Sequence, residues 1–380
     1  MEQQRKTITF LSVLKFLAVL ISTVLVMLLL VLMLFRPHEI AKIQESHDIG
    51  IIDGLDFFVF DSISEAEHAT RNIRKRFWLA DDADKGPVPN PELFGSTADP
   101  TTFQWLLEDA QTLLDGQDTF FTTETPLIAG TKATYYLDET IFAVTWKQAF
   151  NNTCYTITEI KVSDPSQFRR HLEDSVFGGP KLSTPTQMAR KVNAVVGTSA
   201  DHYRGRIAGI FVYEGLVKRA NNLKRMDICY VDDNGDLHFT YRNQIKDMEQ
   251  AQEFVDANRI SFSLSFGPVL IDNGVRCEPQ SYTLGEINGH YARAALCQMG
   301  PLHYMVVVAN TEGRNTHHPD IHEFAAILDT FGCQKAYALD GGNTATVVMN
   351  GNLMNRTTYG EERPQGDIIY FCTAIPDKKD

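Results

Sequence analysis

Hydrophobic and polar positions alternate in three different ways along this chain. Phe16 to Phe35 is twenty residues without a charge, broken only by Ser22 and Thr23. That length matches a helix crossing a bilayer. Residues 36–75 carry Ile40, Ile43, Ile63, Ala66 and Ala69 at helical spacing, which predicts a stalk interrupted by the glycines of Gly50 to Gly54. Residues 81–100, with Lys85-Gly-Pro-Val-Pro-Asn-Pro, read as a long loop, and Phe103 to Leu114 as a short helix. From about residue 130 the pattern shortens to strands. Tyr155 to Val162 alternates at period two, which predicts a strand.

Further strands are predicted over Ile207–Arg219, Asp227–Val231, Leu237–Tyr241, Ser261–Phe266, Met305–Ala309, Cys333–Leu339 and Asp367–Ile375. Between them lie three helices. One opens at Thr184 with Pro185 in its first turn, and one covers residues 247–257. The third runs from Asp320 to Phe331, with Ile321, Phe324, Ala325, Leu328 and Phe331 on one face and Gly332 as its left-handed stop. Asn350-Gly351 predicts a two-residue hairpin turn. Strands and helices without a regular βαβ rhythm predict an α+β fold: a mixed, largely antiparallel sheet with packed helices, preceded by one N-terminal transmembrane helix. The expected division is a cytoplasmic tail (1–15), a transmembrane helix (16–35), a stalk and N-terminal extension (36–150) and a main domain (151–380).

Composition changes this picture little. Hydrophobic residues make up 43% of the 380, enough for a large core. The net charge of −13 and the lack of a Lys/Arg block argue against nucleic acid as a partner. Arg5, Lys6 and Lys15 precede the apolar run, so the positive-inside rule predicts a single-pass protein of the cell membrane with residues 36–380 outside. The bulky Met33-Leu34-Phe35 offers no cleavage site of the small-x-small kind. Six cysteines, none closer than twenty residues to another, exclude a CxxC pair. Most are expected to be buried thiols, with one or two disulfides left open.

The candidate chemistry gathers where strands end. Residues 336–351 run from an apolar strand into Asp340-Gly-Gly-Asn-Thr and on into a second strand. Gly341 and Gly342 permit close approach of backbone to a ligand. The same residues also read as a tight turn joining two paired strands. Asp201, Glu312 and Asp340 could supply carboxylates for acid–base work on a glycosidic bond. Arg293, Arg314 and Arg363 could match a phosphate. His318 and His322, four apart beside His317 and Glu323, have a spacing that can hold zinc, although Pro319 stands where a zincin has its catalytic Glu. Asp232-Asp-Asn-Gly-Asp reads as a hairpin turn rather than a calcium loop. Asn151-Asn-Thr and Asn355-Arg-Thr are glycosylation triplets.

The order of these segments resembles the phosphodiester glycosidase family over about residues 152 to 375. That family includes the enzyme that uncovers mannose-6-phosphate and bacterial membrane-anchored proteins labelled as exopolysaccharide biosynthesis proteins. The resemblance rests on Thr184-Pro-Thr-Gln-Met-Ala-Arg-Lys leading to Ala200-Asp-His-Tyr, on Ser265-Phe-Gly-Pro-Val-Leu-Ile-Asp-Asn-Gly and on Ala292-Arg-Ala-Ala-Leu. Glu312-Gly-Arg, Leu339-Asp-Gly-Gly-Asn-Thr and Glu362-Arg363 complete the series. It implies hydrolysis of a sugar-1-phosphodiester in a cell-surface glycan or sugar-phosphate polymer. Asp340, Asp201 and Glu312 would be catalytic. Arg293, Arg314, Thr344, Asn343, Gly341, Gly342, His202 and Arg363 would bind substrate. No cofactor is demanded; a divalent metal is left open, with no ligands assigned. Asn343 and Ala345 stand where the family has Gly and Ser, and a side chain at 343 is expected to crowd the pocket. A family member that binds envelope glycan without turnover is the alternative.

Overall fold

The computed structural model describes residues 140–221, 226–278 and 289–374. It also describes residues 21–23, which are helical, and the strands Gly50–Ile52, Leu55–Phe60, Phe120–Pro126 and Lys132–Leu137. The chain divides into residues 1–46 and a unit of residues 47–380. Apart from residues 21–23, the expected span over 16–35 lies outside the described residues, as do the helix over 103–114 and the loop over 81–100. Among the described residues no helix is long and apolar enough to cross a membrane. Where a glycine-broken stalk is expected, Gly50–Ile52 and Leu55–Phe60 instead pair as an antiparallel hairpin.

Among the described residues, three sheets build the second unit. The largest has eleven strands. Six of them lie side by side in the order Ile141–Phe150, Thr153–Val162, His303–Asn310, Arg293–Gly300, Lys335–Leu339 and Val269–Asp272, all antiparallel. Leu55–Phe60 joins the edge of Ile141–Phe150 in parallel, which makes the sheet mixed. The expected boundary at residue 150 falls at the Asn151-Asn152 turn of a hairpin, so the sheet runs straight through it. A second sheet of five strands contains Gly209–Tyr213, Ile228–Asp232 and Ile260–Leu264; a third contains Phe168–Leu172, Ala194–Ser199, Val347–Met349 and Asp367–Cys372.

The apolar runs explain why the large sheet is central. In His303–Asn310, Met305, Val307 and Ala309 enter one core cluster, whereas Tyr304, Val306 and Val308 enter another. A strand that is apolar at every position is one covered on both faces. Thr153–Val162 is the strand that its period-two alternation predicts. Its ten residues are all buried, so the polar positions Thr156, Thr158, Glu159 and Lys161 do not face solvent.

One face is covered by the helix Ile321–Thr330. Its side chains Phe324, Ala325 and Leu328 share one buried cluster with Ala295, Cys297, Ala336 and Ala338 of the sheet. Asp320 caps it and Glu323 returns the bond, a reciprocal pair that satisfies the helix's first N–H groups. Gly332 follows with φ +73°, as the sequence predicts. Thr184 and Gln187 make the same reciprocal cap on Pro185–Lys191. Ile207–Arg219 is two strands rather than one, Gly209–Tyr213 and Leu216–Asn221, because Glu214 and Gly215 both take positive φ and turn the chain.

Asp232 Oδ1 accepts from the N–H groups of Asn234 and Asp236, which fixes the hairpin turn there. All six cysteines are free thiols, four of them buried. Of the two glycosylation triplets, Asn151 is exposed, whereas Asn355 is buried and its amide bridges Ala345 and Val347.

Candidate functional site

Lys335–Leu339 delivers Asp340 at the end of the large sheet. The Asp340 N–H donates to the Ala200 carbonyl at 3.1 Å. Gly341 then passes so close to the Arg293 strand that a Cβ would lie 2.3 Å from the Ala292 carbonyl oxygen. Gly342 has φ +63° and donates to that same oxygen at 2.8 Å. Both glycines are therefore required by geometry, one by space and one by backbone conformation. A single 3-10 turn, Gly342–Thr344, follows, and the chain enters Val347–Met349 of the third sheet. The two strands flanking Asp-Gly-Gly lie in different sheets, so the paired-strand turn does not describe this stretch.

Asp340 faces a cavity of about 240 Å³, walled by Arg293, Arg363, Tyr291, Phe266 and Ile321. Arg363 Nη2 donates to Asp340 Oδ2 at 2.6 Å. His202 Nδ1 lies 3.8 Å from the same oxygen and 3.5 Å from Arg363 Nη2. Burial pushes the Asp340 carboxyl above the usual carboxylate range, while the Thr344 hydroxyl and the charges of His202, Arg363 and Arg206 pull it back. Burial pushes His202 the other way, against the attraction of Asp340. The direct contact with a guanidinium favours an ionised Asp340 at neutral pH. Arg293 is 8% exposed, and its fork is aimed by the carbonyls of Pro319 (3.3 Å) and Gly289. The result is a carboxylate and two guanidinium groups around a half-apolar pocket. Such a pocket can hold an anionic ligand and present one base or nucleophile to it.

The other expected site residues are placed differently. Asp201 is fully buried beneath the pocket, outside its lining: Oδ1 accepts from Arg170 at 2.6 Å and Oδ2 from the Ser265 N–H at 2.7 Å. Arg170 also donates to Asp367 Oδ2 and stacks over Phe211 at 4.1 Å from the ring centroid. Glu312 is buried in an ion pair with Lys147 and accepts from the Cys154 thiol. Arg314, at the exposed tip of the 312–315 turn, lines no part of the cavity. The Thr344 hydroxyl donates to the Gly341 carbonyl at 2.7 Å and so braces the turn. Asn343 does not crowd the pocket. Its side-chain oxygen accepts from the Tyr359 N–H and its carbonyl from the Arg363 N–H, which pins the loop that carries Arg363.

Sequence reasoning did not single out Phe266, Tyr291, Ile321 or Arg206. The first three line the cavity, and the Arg206 guanidinium sits 3.9 Å from the Phe266 ring centroid. Tyr291 was the legible one, two residues before Arg293. His318 and His322 do not converge on one point, in keeping with polar residues at a helix start: His318 Nε2 lies 3.2 Å from Asn310 Oδ1, and His322 Nδ1 lies 3.8 Å from Glu278.

Residues 190–372 match the family model described as phosphodiester glycosidase. The match includes Asp340, Arg293, Arg363 and His202 and supports the resemblance for somewhat less than half of the chain. A curated relative, the SPbeta prophage-derived uncharacterized protein YomE of Bacillus subtilis, is 23% identical over 202 residues. That alignment takes in 51% of this chain and 30% of YomE, so the chain spans under a third of that relative's length. Among solved structures, a hypothetical protein from Synechocystis has a TM-score of 0.49 at 14% identity, covering 61% of this chain and 62% of that one. The zebrafish N-acetylglucosamine-1-phosphodiester alpha-N-acetylglucosaminidase catalytic domain, in a form auto-inhibited by its pro-peptide, has a TM-score of 0.48 at 14% identity. There the coverage is 74% of this chain and 97% of that one.

Proposed function

We propose that this protein is a membrane-anchored extracytoplasmic glycosidase that hydrolyses a sugar-1-phosphodiester of a cell-surface glycan or polymer. The observation that carries the reading is Asp340, held 2.6 Å from Arg363 in a cavity that Arg293 also enters. The family match suggests glycosidase activity on phosphodiester-linked sugars. The anchoring rests on the apolar run Phe16–Phe35 and the basic residues before it.

The chemistry suits a pocket with one carboxylate. Cleavage of the sugar C1–O bond releases a phosphomonoester, a good leaving group that needs little protonation. The second carboxylate that most glycosidases use as acid is then dispensable. Arg293 and Arg363 hold the phosphate oxygens and stabilise the negative charge that grows on them as the bond breaks. Asp340 either removes a proton from the attacking water or attacks C1 itself, in which case water later releases the sugar. Both routes end in a free sugar and a phosphomonoester. With Arg363 drawn to the phosphate, Asp340 loses a partner and becomes more basic, which suits the first role.

One observation favours a second reading, in which the protein binds envelope glycan without turnover. Asp201 and Glu312 are both committed to buried ion pairs, which leaves Asp340 as the one acidic residue among the described residues that line the cavity. The test is to incubate the full chain, solubilised in detergent, with sugar-1-phosphodiesters and measure the sugar released. Release that disappears in Asp340→Asn supports the first reading. Retained glycan binding without release from any member of a broad substrate panel would overturn it.

A further inference from the structure

The imidazoles of His290 and His317 lie side by side beside the carboxylate of Glu323, with ring centroids 5.1 Å apart and planes tilted by 56°. One ligand atom of each residue lies within 4.8 Å of the other two. His317 Nε2 is 2.9 Å from Glu323 Oε2, and His290 Nδ1 is 3.9 Å from the same oxygen. Ligands around a tetrahedral zinc with bonds of about 2.0–2.1 Å stand roughly 3.4 Å apart, between those two separations. Oε2 also accepts the Asp320 N–H at 3.0 Å, Oε1 faces the Asn151 amide at 3.4 Å, and His290 Nδ1 lies 3.0 Å from the His318 carbonyl. Two imidazoles thus converge on a carboxylate oxygen that a backbone N–H already occupies. A cation bound among the three takes the place of the proton that His290 Nδ1 shares with the His318 carbonyl and of the one between His317 and Glu323, and ties both rings to the carboxylate.

The donor set is two imidazoles and a carboxylate at a half-exposed position, open to solvent on one side. Nitrogen and oxygen donors of this kind select zinc and its transition-metal neighbours over calcium or magnesium, and three protein ligands leave a place for water. We propose that His290, His317 and Glu323 bind one divalent transition-metal ion, which clamps residues 289–291 to the 317–323 segment. Arg293 already ties these two segments together on the pocket side, through the carbonyls of Gly289 and Pro319. The ion ties them on the outer side, so it orders the wall that presents Tyr291 and Ile321 to the cavity. The His318–His322 spacing is not the site; His290 stands twenty-seven residues before His317.

Metal binding reads this proposal without any turnover, so it stands or falls separately from the glycosidase reading. The untagged full chain is dialysed against a chelator and titrated with Zn²⁺ by calorimetry, and with Co²⁺ by visible absorption. One zinc per chain is expected, with a rise in thermal midpoint on addition. His290→Ala, His317→Ala and Glu323→Gln should each weaken binding at least about tenfold, as loss of a ligand exceeds loss of an outer-shell partner. Glu323→Gln keeps the helix cap, and His290 is exposed, so neither change disturbs the core. His290→Gln is a second variant that keeps side-chain bulk. His322→Ala should bind as the unchanged protein does. Failure to bind zinc at micromolar concentration, or binding that is unaltered in His290→Ala and His317→Ala, overturns the site.

Discussion

Asp340 and Asp201 sit on neighbouring strand ends, joined by the hydrogen bond from the Asp340 N–H to the Ala200 carbonyl. Both follow an apolar strand, and both pair with an arginine at 2.6 Å. What separates them is access. The Arg363 side chain is 43% exposed and belongs to a loop, so a ligand can displace it from Asp340. Arg170 and Asp201 have fully buried side chains, and Arg170 is sandwiched between two carboxylates and the Phe211 ring. The first pair is a site with a movable partner; the second is a strut under its floor. An aspartate at a strand end therefore says where a carboxylate is, while its partner decides what the carboxylate can do.

The largest effect expected from breaking this comparison is on turnover. Asp340→Asn should lower sugar release by about 10²–10⁴-fold, the usual range for a positioned acid or base, with the unfolding free energy little changed. Asp201→Ala should do the reverse. Removing one partner of a buried ion pair costs about 3–5 kcal/mol, read as a lower urea midpoint. If Asp201→Ala abolished turnover at full stability, the strut assignment would be wrong.

Gly341→Ala lies between the two. Its new Cβ meets a backbone oxygen that cannot yield, so about 1–3 kcal/mol of stability and most of the turnover should be lost together.

A gentler probe is pH. Burial pushes the Asp367 carboxyl up to about 7, against the pull of Arg170. Its Oδ1 is buried with no hydrogen-bond partner. The unfolded chain releases this proton near the ordinary Asp value of about 3.9, whereas the folded chain keeps it until about pH 7. The contribution of Asp367 is therefore fully present below the unfolded value and falls as pH rises through the folded one. Asp367→Asn, a neutral mimic of the protonated form, should flatten the decline in urea stability between about pH 4 and 7. The smallest effect belongs to Asn343→Gly, which should leave substrate affinity within about twofold while loosening the 359–363 loop. Protease nicking near Tyr359 would reveal the loosening.

Local signals made much of the frame legible. Thr184-Pro185 announces one helix and Gly332 the end of another, because caps and stops are matters of a few consecutive residues. The Asp340 strand and its glycines are readable for the same reason. The roles of the other carboxylates were not, because their partners are remote in sequence. Arg170 lies 31 residues before Asp201 and inside no motif, and Lys147 lies 165 residues before Glu312 in a stretch assigned to an extension. A sequence presents Asp201, Glu312 and Asp340 as equals; only the fold distributes the counter-ions. Thr153–Val162 teaches the same point for burial. Its polar residues suggest a wet face, but all ten of its positions are buried, because what packs on each face of the sheet comes from elsewhere in the chain.

The passage of the chain from one sheet to another at residues 340–347 has a mechanical consequence. The pocket floor is a seam between layers, not a loop hung on one of them. Any slip of the third sheet against the large one is transmitted to Asp340 through a backbone with no slack, since Gly341 already touches the neighbouring strand. Leu296 of the large sheet and Phe371 of the third share one buried cluster, so the packing that sets the two sheets against each other also bears on where Asp340 stands.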